Sequence, residues 1–429
     1  MASLALVATV LPAIPIDQCA AQTYAREDRT FVVSSAGPYT RIADALAAAP
    51  AHATITVRPG RYREPTVIVR RPVTISGMPG AELDGEGARE LLVVAADSVT
   101  VRGLTFRNTG RSQVEDRAAL RVTNALHCTI ERNTFIDTFF GIYLAKVEGC
   151  RIHANRLTGP AGSQMLTGNG IHLWSSRDVT ITDNVIRRHR DGIYFEFVRH
   201  GAAIGNESAG MHRYGLHFMF SDSCRYERNR FVENTSGVAV MYTNHVVMRG
   251  NDFSRNRGPA AYGLLLKEIS DSELHDNRFR DNSIGLHLEG ANRNQIAGNR
   301  FEGNGWGVRM MADAQDNLVE GNVFARNTFD VATNSRSSTS TFRGNWWDRY
   351  RGYDLDRNGR GDVPFAPVRL FATVATDAPA TVLLLRSVLV DLLDLAERVV
   401  PMITPEGLVD AAPLMRTPQL RLVAATERP

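Results

Sequence analysis

A chain of 429 residues, 43% hydrophobic and 22% charged, has the composition of a core-forming protein, and 35 glycines against 18 prolines suit many turns without low-complexity disorder. A net charge of +3, with no run of Lys or Arg interleaved with aromatics, speaks against a nucleic-acid partner. Length alone leaves open two or three ordinary domains or one elongated repeat.

Residues 1–21 carry an apolar run from Leu4 to Ile16, closed by Cys19-Ala20-Ala21, whose small residues fit a signal-peptidase site. No Lys or Arg precedes the run, so an upstream start or a buried N-terminal helix are the alternatives; export is the expectation. The run is too short and too Pro-broken to span a membrane.

Residues 22–100 are expected to form an N-terminal cap and first coils. Strand-like pieces lie at Thr54–Val57, Thr66–Val69 and Val73–Ile75, and the Ala-rich stretch Ile42–Ala49 reads as a helix stopped by Pro50. A helix there would cover the open first coil of a solenoid.

Over residues 101–350 two markers recur together. Asparagines stand at 133, 155, 184, 206, 229, 251, 277, 299, 322 and 345, and glycines open alternating strands at 141, 170, 192, 215, 237, 263, 285 and 307. Most spacings are 22 or 23 residues, one coil of a parallel β-helix. The predicted fold is therefore all-β, a right-handed parallel β-helix; the Leu-x-x-Leu-x-Leu frame of a leucine-rich repeat is absent. Stacked amides at a tight turn give the Asn column a structural role. Longer gaps place insertions at Thr158–Gly168 and Arg257–Ala261, positions where solenoids often bind. Cys128 and Cys150 precede repeat asparagines by five residues and should stack on adjacent coils, about 4.8 Å apart. That spacing permits a disulfide, with two buried free thiols as the alternative. Cys224, in the same column, reads as core.

Residues 351–380 form an Asp/Gly-rich turn and connector. Asp354, Asp356, Asn358 and Asp362 resemble half of a calcium loop, but Phe365 stands where a bidentate Glu belongs, and an Asx-stabilised turn is the preferred reading. Residues 381–429 read as a helical docking arm and tail. Thr381–Val400 is an apolar helical pattern, interrupted by charges, that either closes the solenoid or docks on a partner, and the tail from Pro401 reads as an extended arm.

Counting outward from each repeat glycine gives two columns on one face. His217, Met219 and Met241 fall within reach of one small ion, and thioether with imidazole suits Cu(I). His172 in the same column, and His189, Met211 and His212 beside the strand starts, are secondary metal candidates. Packing under a covering loop is the structural alternative. So is a carbohydrate groove, with Trp174, Tyr194, Tyr214 and Tyr242 stacking on sugars and Asp191, Glu196 and Asp222 as acid and base.

The runs Gly170-Ile-His-Leu-Trp174, Arg190-Asp-Gly-Ile-Tyr194, Arg213-Tyr-Gly-Leu-His-Phe-Met-Phe-Ser221, Gly237-Val-Ala-Val-Met-Tyr242 and Asn345-Trp-Trp-Asp-Arg-Tyr350 together resemble the NosD family of periplasmic copper-handling proteins. The resemblance implies a β-helix at the outer face of the inner membrane, standing on an ABC transporter made of a permease and an ATPase. It implies a copper-carrying lipoprotein and nitrous oxide reductase as further partners, with copper as cargo and no catalysis by the chain itself. It supplies no ligand set. The chain has no phosphate-binding Gly-x-x-x-x-Gly-Lys run, so ATP is expected to be used elsewhere. The rival is a polysaccharide lyase, hydrolase or epimerase, since such enzymes share the repeat.

Overall fold

Most coils are built from short strands that point one apolar side chain inward. In Thr134–Ile136 only Phe135 is buried, and Thr129–Glu131 and Thr180–Thr182 bury Ile130 and Ile181 in the same way. Such a strand is too short to hold itself, and it is stabilised by the coil above and below. The computed structural model describes residues 30–418 except 113, 163, 260, 336, 385, 386 and 400–407; the expected export segment lies outside the described residues. Three parallel sheets run the length of the body. Sheet 1 holds fourteen described strands, from Thr30–Val33 to Thr341–Arg343. Sheet 2 holds thirteen, from Gly60–Tyr62 to Trp346–Trp347, and sheet 3 twelve, from Val67–Val69 to Phe329–Thr333. Each strand pairs with its equivalent one coil away, as Ile130 with Ile152 and Ile152 with Ile181, so the parallel β-helix expected from the period is the fold.

The corners follow one rule: a residue in the left-handed region turns the chain, and the next residue points inward. Arg132, with φ 52°, precedes Asn133 in this way. Asn133 donates from its backbone N–H and its Nδ2 to Oδ1 of Asn155, at 3.0 and 3.1 Å, and Nδ2 also reaches the Val101 carbonyl. The ladder repeats to Asn345 and satisfies polar groups that the corner would otherwise bury unpaired. Two further ladders escaped the sequence reading. Asn234, Asn256, Asn282, Asn304 and Asn327 line the corner between sheets 2 and 3. Ser272, Asn294, Asn317 and Ser340 line the corner entering sheet 1. The cysteines occupy this third position: the Cys128 N–H donates to Sγ of Cys150 at 3.3 Å, and both thiols are free and buried. Neighbouring side chains that serve one corner in turn point the same way, so the ladder is formed and the disulfide is not.

Inside, Phe231, Phe253, Phe279, Phe301, Phe324 and Trp347 form a continuous stack with centroids 4.2 to 5.5 Å apart. Helix α1 (Ile42–Ala48) covers the first coil as expected, burying Ile42, Ala45 and Leu46. Its N-cap residue makes no side-chain cap; instead Glu64 accepts from the Ile42 and Ala43 N–H groups at 2.8 and 3.1 Å. At the other end α2 (Leu370–Asp377), in the stretch read as a connector, packs Phe371, Ala372 and Ala375 on Phe329. A 3₁₀ turn (Pro379–Leu384) and α3 (Val388–Val399) follow. Val390 of α3 joins that cluster, with Leu393 packed against it, while Val388, Leu392 and Leu395 stay exposed. Those three residues of the pattern expected to close or dock are therefore left open to solvent. The described part of the tail does not extend away: Asp410 pairs with Phe342 on the last coil and with Phe365 of the connector.

Candidate functional site

Strand alternation sets the outer face of sheet 3. In Tyr214–Met219, Leu216 and Phe218 are fully buried inward, which turns His217 and Met219 outward. Register then stacks Tyr143, His172, Tyr194, His217 and Ala239 in one column, and Ala145, Trp174, Glu196, Met219, Met241 and Lys267 in the next. Met219 and Met241 are direct partners, both half-buried.

The first column faces outward yet is closed to solvent. His172 stacks on Tyr143 at 4.5 Å and lies 4.8 Å from Tyr194, which meets His217 edge-on at 4.9 Å; Tyr214 flanks His217 and Arg121 covers Tyr143. His172, Tyr194 and His217 are left 6, 8 and 4% exposed. Burial pushes the His172 imidazole down to about 3, with the Arg190 charge acting in the same direction. Its Nδ1 is met by the Asn169 amide at 3.0 Å, whose Oδ1 accepts from Arg190, and its Nε2 has no partner.

Around His217 lies a buried ion pair. Asp191, fully buried, accepts from Arg213 Nε at 2.8 Å and from a second Arg213 nitrogen. Burial acts to raise its carboxyl, but the Arg213 guanidinium and His217 outweigh it and bring it to about 2. His217 Nδ1 sits 3.3 Å from Arg213 and 3.6 Å from Asp191, while its Nε2 is buried and unpartnered. Arg213 can only donate, so its contact makes Nδ1 the acceptor and leaves the ring proton on Nε2; moving that proton to Nδ1, on the side of Asp191, would free the Nε2 lone pair that a metal requires. The Tyr194 hydroxyl donates to Met219 Sδ at 3.4 Å, leaving a sulfur lone pair for a soft ion. The face thus gathers two thioethers and an orphaned imidazole nitrogen.

The secondary candidates are placed differently. His189 is fully buried at a corner, where the Gly168 and Phe139 backbone lies by its ring without a well-aligned hydrogen bond, and burial outweighs their effect to lower the imidazole to about 4. Met211 belongs to the apolar core, and half-buried His212 meets His189 through a backbone bond. Among the described residues no three His, Cys, Asp or Glu side chains are grouped to hold a metal ion; thioethers are not among those types. In the Asp/Gly-rich turn, Asp354 accepts from the Asn358 and Gly359 N–H groups, Asp356 from Asn358, and Asp362 from Leu355, so these oxygens serve the turn. For carbohydrate chemistry, Asp191 is tied to Arg213, and Asp222 accepts from the Asn244 N–H at 3.0 Å. An ion-paired acid held near 2 has no proton to give at neutral pH.

One feature of this face escaped the sequence reading. Phe197, Phe220 and Tyr242, each five residues after a repeat glycine, form an exposed stack beside the Met pair. The period that aligned the glycines would also have aligned them.

A family model described as periplasmic copper-binding protein (NosD) matches residues 160–352, which contain His172, His217, Met219 and Met241. A protein of Pseudomonas aeruginosa named probable ABC transporter binding protein NosD is 31% identical over 86% of this chain and 89% of its own. The chain belongs to the NosD family. A relative of the same name from Stutzerimonas stutzeri is 27% identical over 84% of this chain and 86% of its own. Solved structures share the solenoid at lower identity. A GH87 alpha-1,3-glucanase catalytic domain in complex with nigerose aligns with TM-score 0.55 at 10% identity, over 74% of this chain and 70% of its own. The Dettilon tailspike protein aligns with TM-score 0.53 at 14%, over 68% and 64%. At such identities the likeness is one of fold, and function among NosD members rests on the site. No helix among the described residues is long and apolar enough to cross a membrane.

Proposed function

We propose that this NosD-family chain is a periplasmic accessory for copper-site assembly of nitrous oxide reductase. It accepts or presents Cu(I) as cargo on the outer face of sheet 3 and is not itself an enzyme. The observation that carries the reading is the register pairing of Met219 with Met241, two half-buried thioethers on adjacent coils, beside the orphaned Nε2 of His217. Soft donors in this number favour Cu(I) over the hard cations, and partial exposure lets the ion enter and leave. The buried Asp191, 3.6 Å from Nδ1, is placed to take an Nδ1 proton when Nε2 turns its lone pair to an ion, the role a carboxylate commonly has behind a metal-bound histidine.

The chain's partner is an ABC transporter, permease and ATPase, at the outer face of the inner membrane; the exposed stripe of α3 is the surface offered to it, and a copper-carrying lipoprotein delivers the ion. Family membership and the relatives' names support this reading. Anaerobic Cu(I) titration tests it. A Met219→Ala, Met241→Ala double variant should bind Cu(I) at least about tenfold more weakly, and unchanged affinity would sink the site. Product from acidic polysaccharides would instead favour the enzyme.

A further inference from the structure

We infer that the cavity between the last coil and α3 is a binding site for a small organic anion, a carboxylate carried on an apolar body. The cavity measures about 930 Å³, a size that suits such a ligand. One wall is the connector from Val363 to Arg369; Asp330 lines the cavity from the last strand of sheet 3, Arg349 from the segment after sheet 2, and Glu397 from α3. The site is separate from the copper reading, since the strand of Met241 lies four strands away along sheet 3.

The wall is built before any ligand arrives. Pro364 and Pro367 restrict the backbone of the connector, and the chain is pinned at two points: Phe365 exchanges two backbone hydrogen bonds of 2.9 Å with Asp410, and Val368 pairs with Val331. Val363, Phe365, Ala366 and Val368 give the cavity an apolar lining, with Tyr350 and Tyr353 beside them. An apolar wall with a few convergent polar groups is the usual build of a small-molecule site.

The polar groups choose the charge of the occupant. Arg349 is held by Nη2, which donates to the Asn327 and Thr328 carbonyls at 3.0 and 3.2 Å, while its Nη1 is buried without a partner. Arg351 donates to the Asp348 and Tyr350 carbonyls and, like Arg349, forms no ion pair among the described residues. Glu397 is engaged by α2, where its Oε1 accepts the Leu370 N–H at 2.6 Å. A half-buried guanidinium without a counter-ion is costly, and a bound anion removes that cost. Asp330, 3% exposed, takes the Asn327 amide on Oδ1 at 3.1 Å, and none of the described residues donates to its other oxygen. Burial pushes this carboxyl up to about 6, so it can hold a proton and donate to a ligand oxygen. A carboxylate matches the two groups: one oxygen accepts from Arg349 Nη1 and the other from protonated Asp330. Phosphate would bring more oxygens than these donors serve, and an ammonium would meet the arginines.

The probes are 1-naphthylacetate, its uncharged counterpart 2-(1-naphthyl)ethanol, acetate and inorganic phosphate, titrated by calorimetry against the whole chain at about pH 5.5. Naphthylacetate should bind. The alcohol, which lacks the charge, and acetate and phosphate, which lack the apolar body, should each bind at least about tenfold more weakly. Arg349→Ala should lose at least about tenfold in naphthylacetate affinity. Should that variant fail to fold, Ala366→Trp, at an exposed position of the wall, must give the same loss by filling the cavity. Raising the pH to about 8 should weaken naphthylacetate at least about tenfold, because Asp330, faced by Arg349, Arg369, Asp348 and, across the cavity, Glu397, then gives up its proton. Asp330→Asn should flatten that dependence. No binding of naphthylacetate, equal binding of the alcohol or of phosphate, unchanged affinity in the folded variants, or a pH dependence kept by Asp330→Asn overturns the inference. Cu(I) affinity should stay the same in each variant, so either reading can fail without the other.

Discussion

Asp410 accepts a hydrogen bond from Asn345 Nδ2 at 3.0 Å, although 65 residues separate the two. It stands where the next asparagine of the first ladder would be. It also accepts the N–H groups of Gly344 and Asn345 and the Trp347 indole N–H, and it is fully buried. A ladder that ended at Asn345 would leave these donors unpaired at the last coil, and the returning chain closes it with a carboxylate.

Asp410→Ala should therefore loosen the C-terminal end. Each orphaned buried donor costs about 1–3 kcal/mol, and nearest-neighbour coupling in a solenoid confines the loss. Hydrogen exchange should show Asn322 to Trp347 deprotected, with coils before Asn229 unchanged. Asp410→Asn, which keeps one acceptor oxygen, should fall between. Uniform protection in the alanine variant would refute the capping role.

Cys150 should tolerate serine. Its sulfur accepts the Cys128 N–H, as Ser272 Oγ accepts the Val246 N–H at 2.9 Å in the same column. Cys150→Ser should change stability by less than about 1 kcal/mol, whereas Cys150→Val, which removes the acceptor, should cost about 1–2 kcal/mol by thermal unfolding. A larger loss for serine than for valine would mean the position is purely apolar.

Asp330 predicts a pH dependence. Burial pushes its carboxyl up to about 6, only partly opposed by the Asn327 amide and by Arg349 and Arg369, while Asp348 adds to the rise. A folded value above the unfolded one, about 3.9, means the contribution is complete below pH 4 and is lost as pH rises through 6. About two units correspond to roughly 3 kcal/mol, local to Phe329 and α2. Protection of α2 should fall between pH 4 and 7, and Asp330→Asn should abolish that fall. A variant with the wild-type profile would place the titration elsewhere.

The α3 stripe gives a binding prediction. Val388, Leu392 and Leu395 are exposed, while Val390 holds the helix to the solenoid. Val388→Asp with Leu392→Asp should leave the thermal unfolding of the solenoid within a few degrees of wild type. Copurification with the transporter should be lost. Retention of the transporter by a folded variant would refute the docking role.

The part of the site legible in the sequence follows from periodicity. In-register parallel coils turn a 22-residue spacing directly into neighbourhood, so Met219 beside Met241 could be read from Gly215 and Gly237. The third ladder was partly visible in the spacing of Cys128 and Cys150, but cysteine suggests a bridge before it suggests a corner acceptor. The second ladder lay five residues past the first and was masked because His189 and Met211 precede its asparagines.

What the sequence determined by itself was the placement of backbone: coil length, parallel sheets, the helical cap at Ile42, and which residues face outward. These depend on local alternation and on a period, both properties of the linear chain. Tertiary structure alone decided what each outward residue experiences. His172 and His217 stand on the outward side of sheet 3, yet they are buried because Tyr143, Tyr194 and Tyr214 fill the space around them. Asp410 becomes a ladder rung because a distant segment folds back onto the last coil. Burial and capping depend on the volumes of side chains from several coils and on long-range return of the chain, and no single period carries that information.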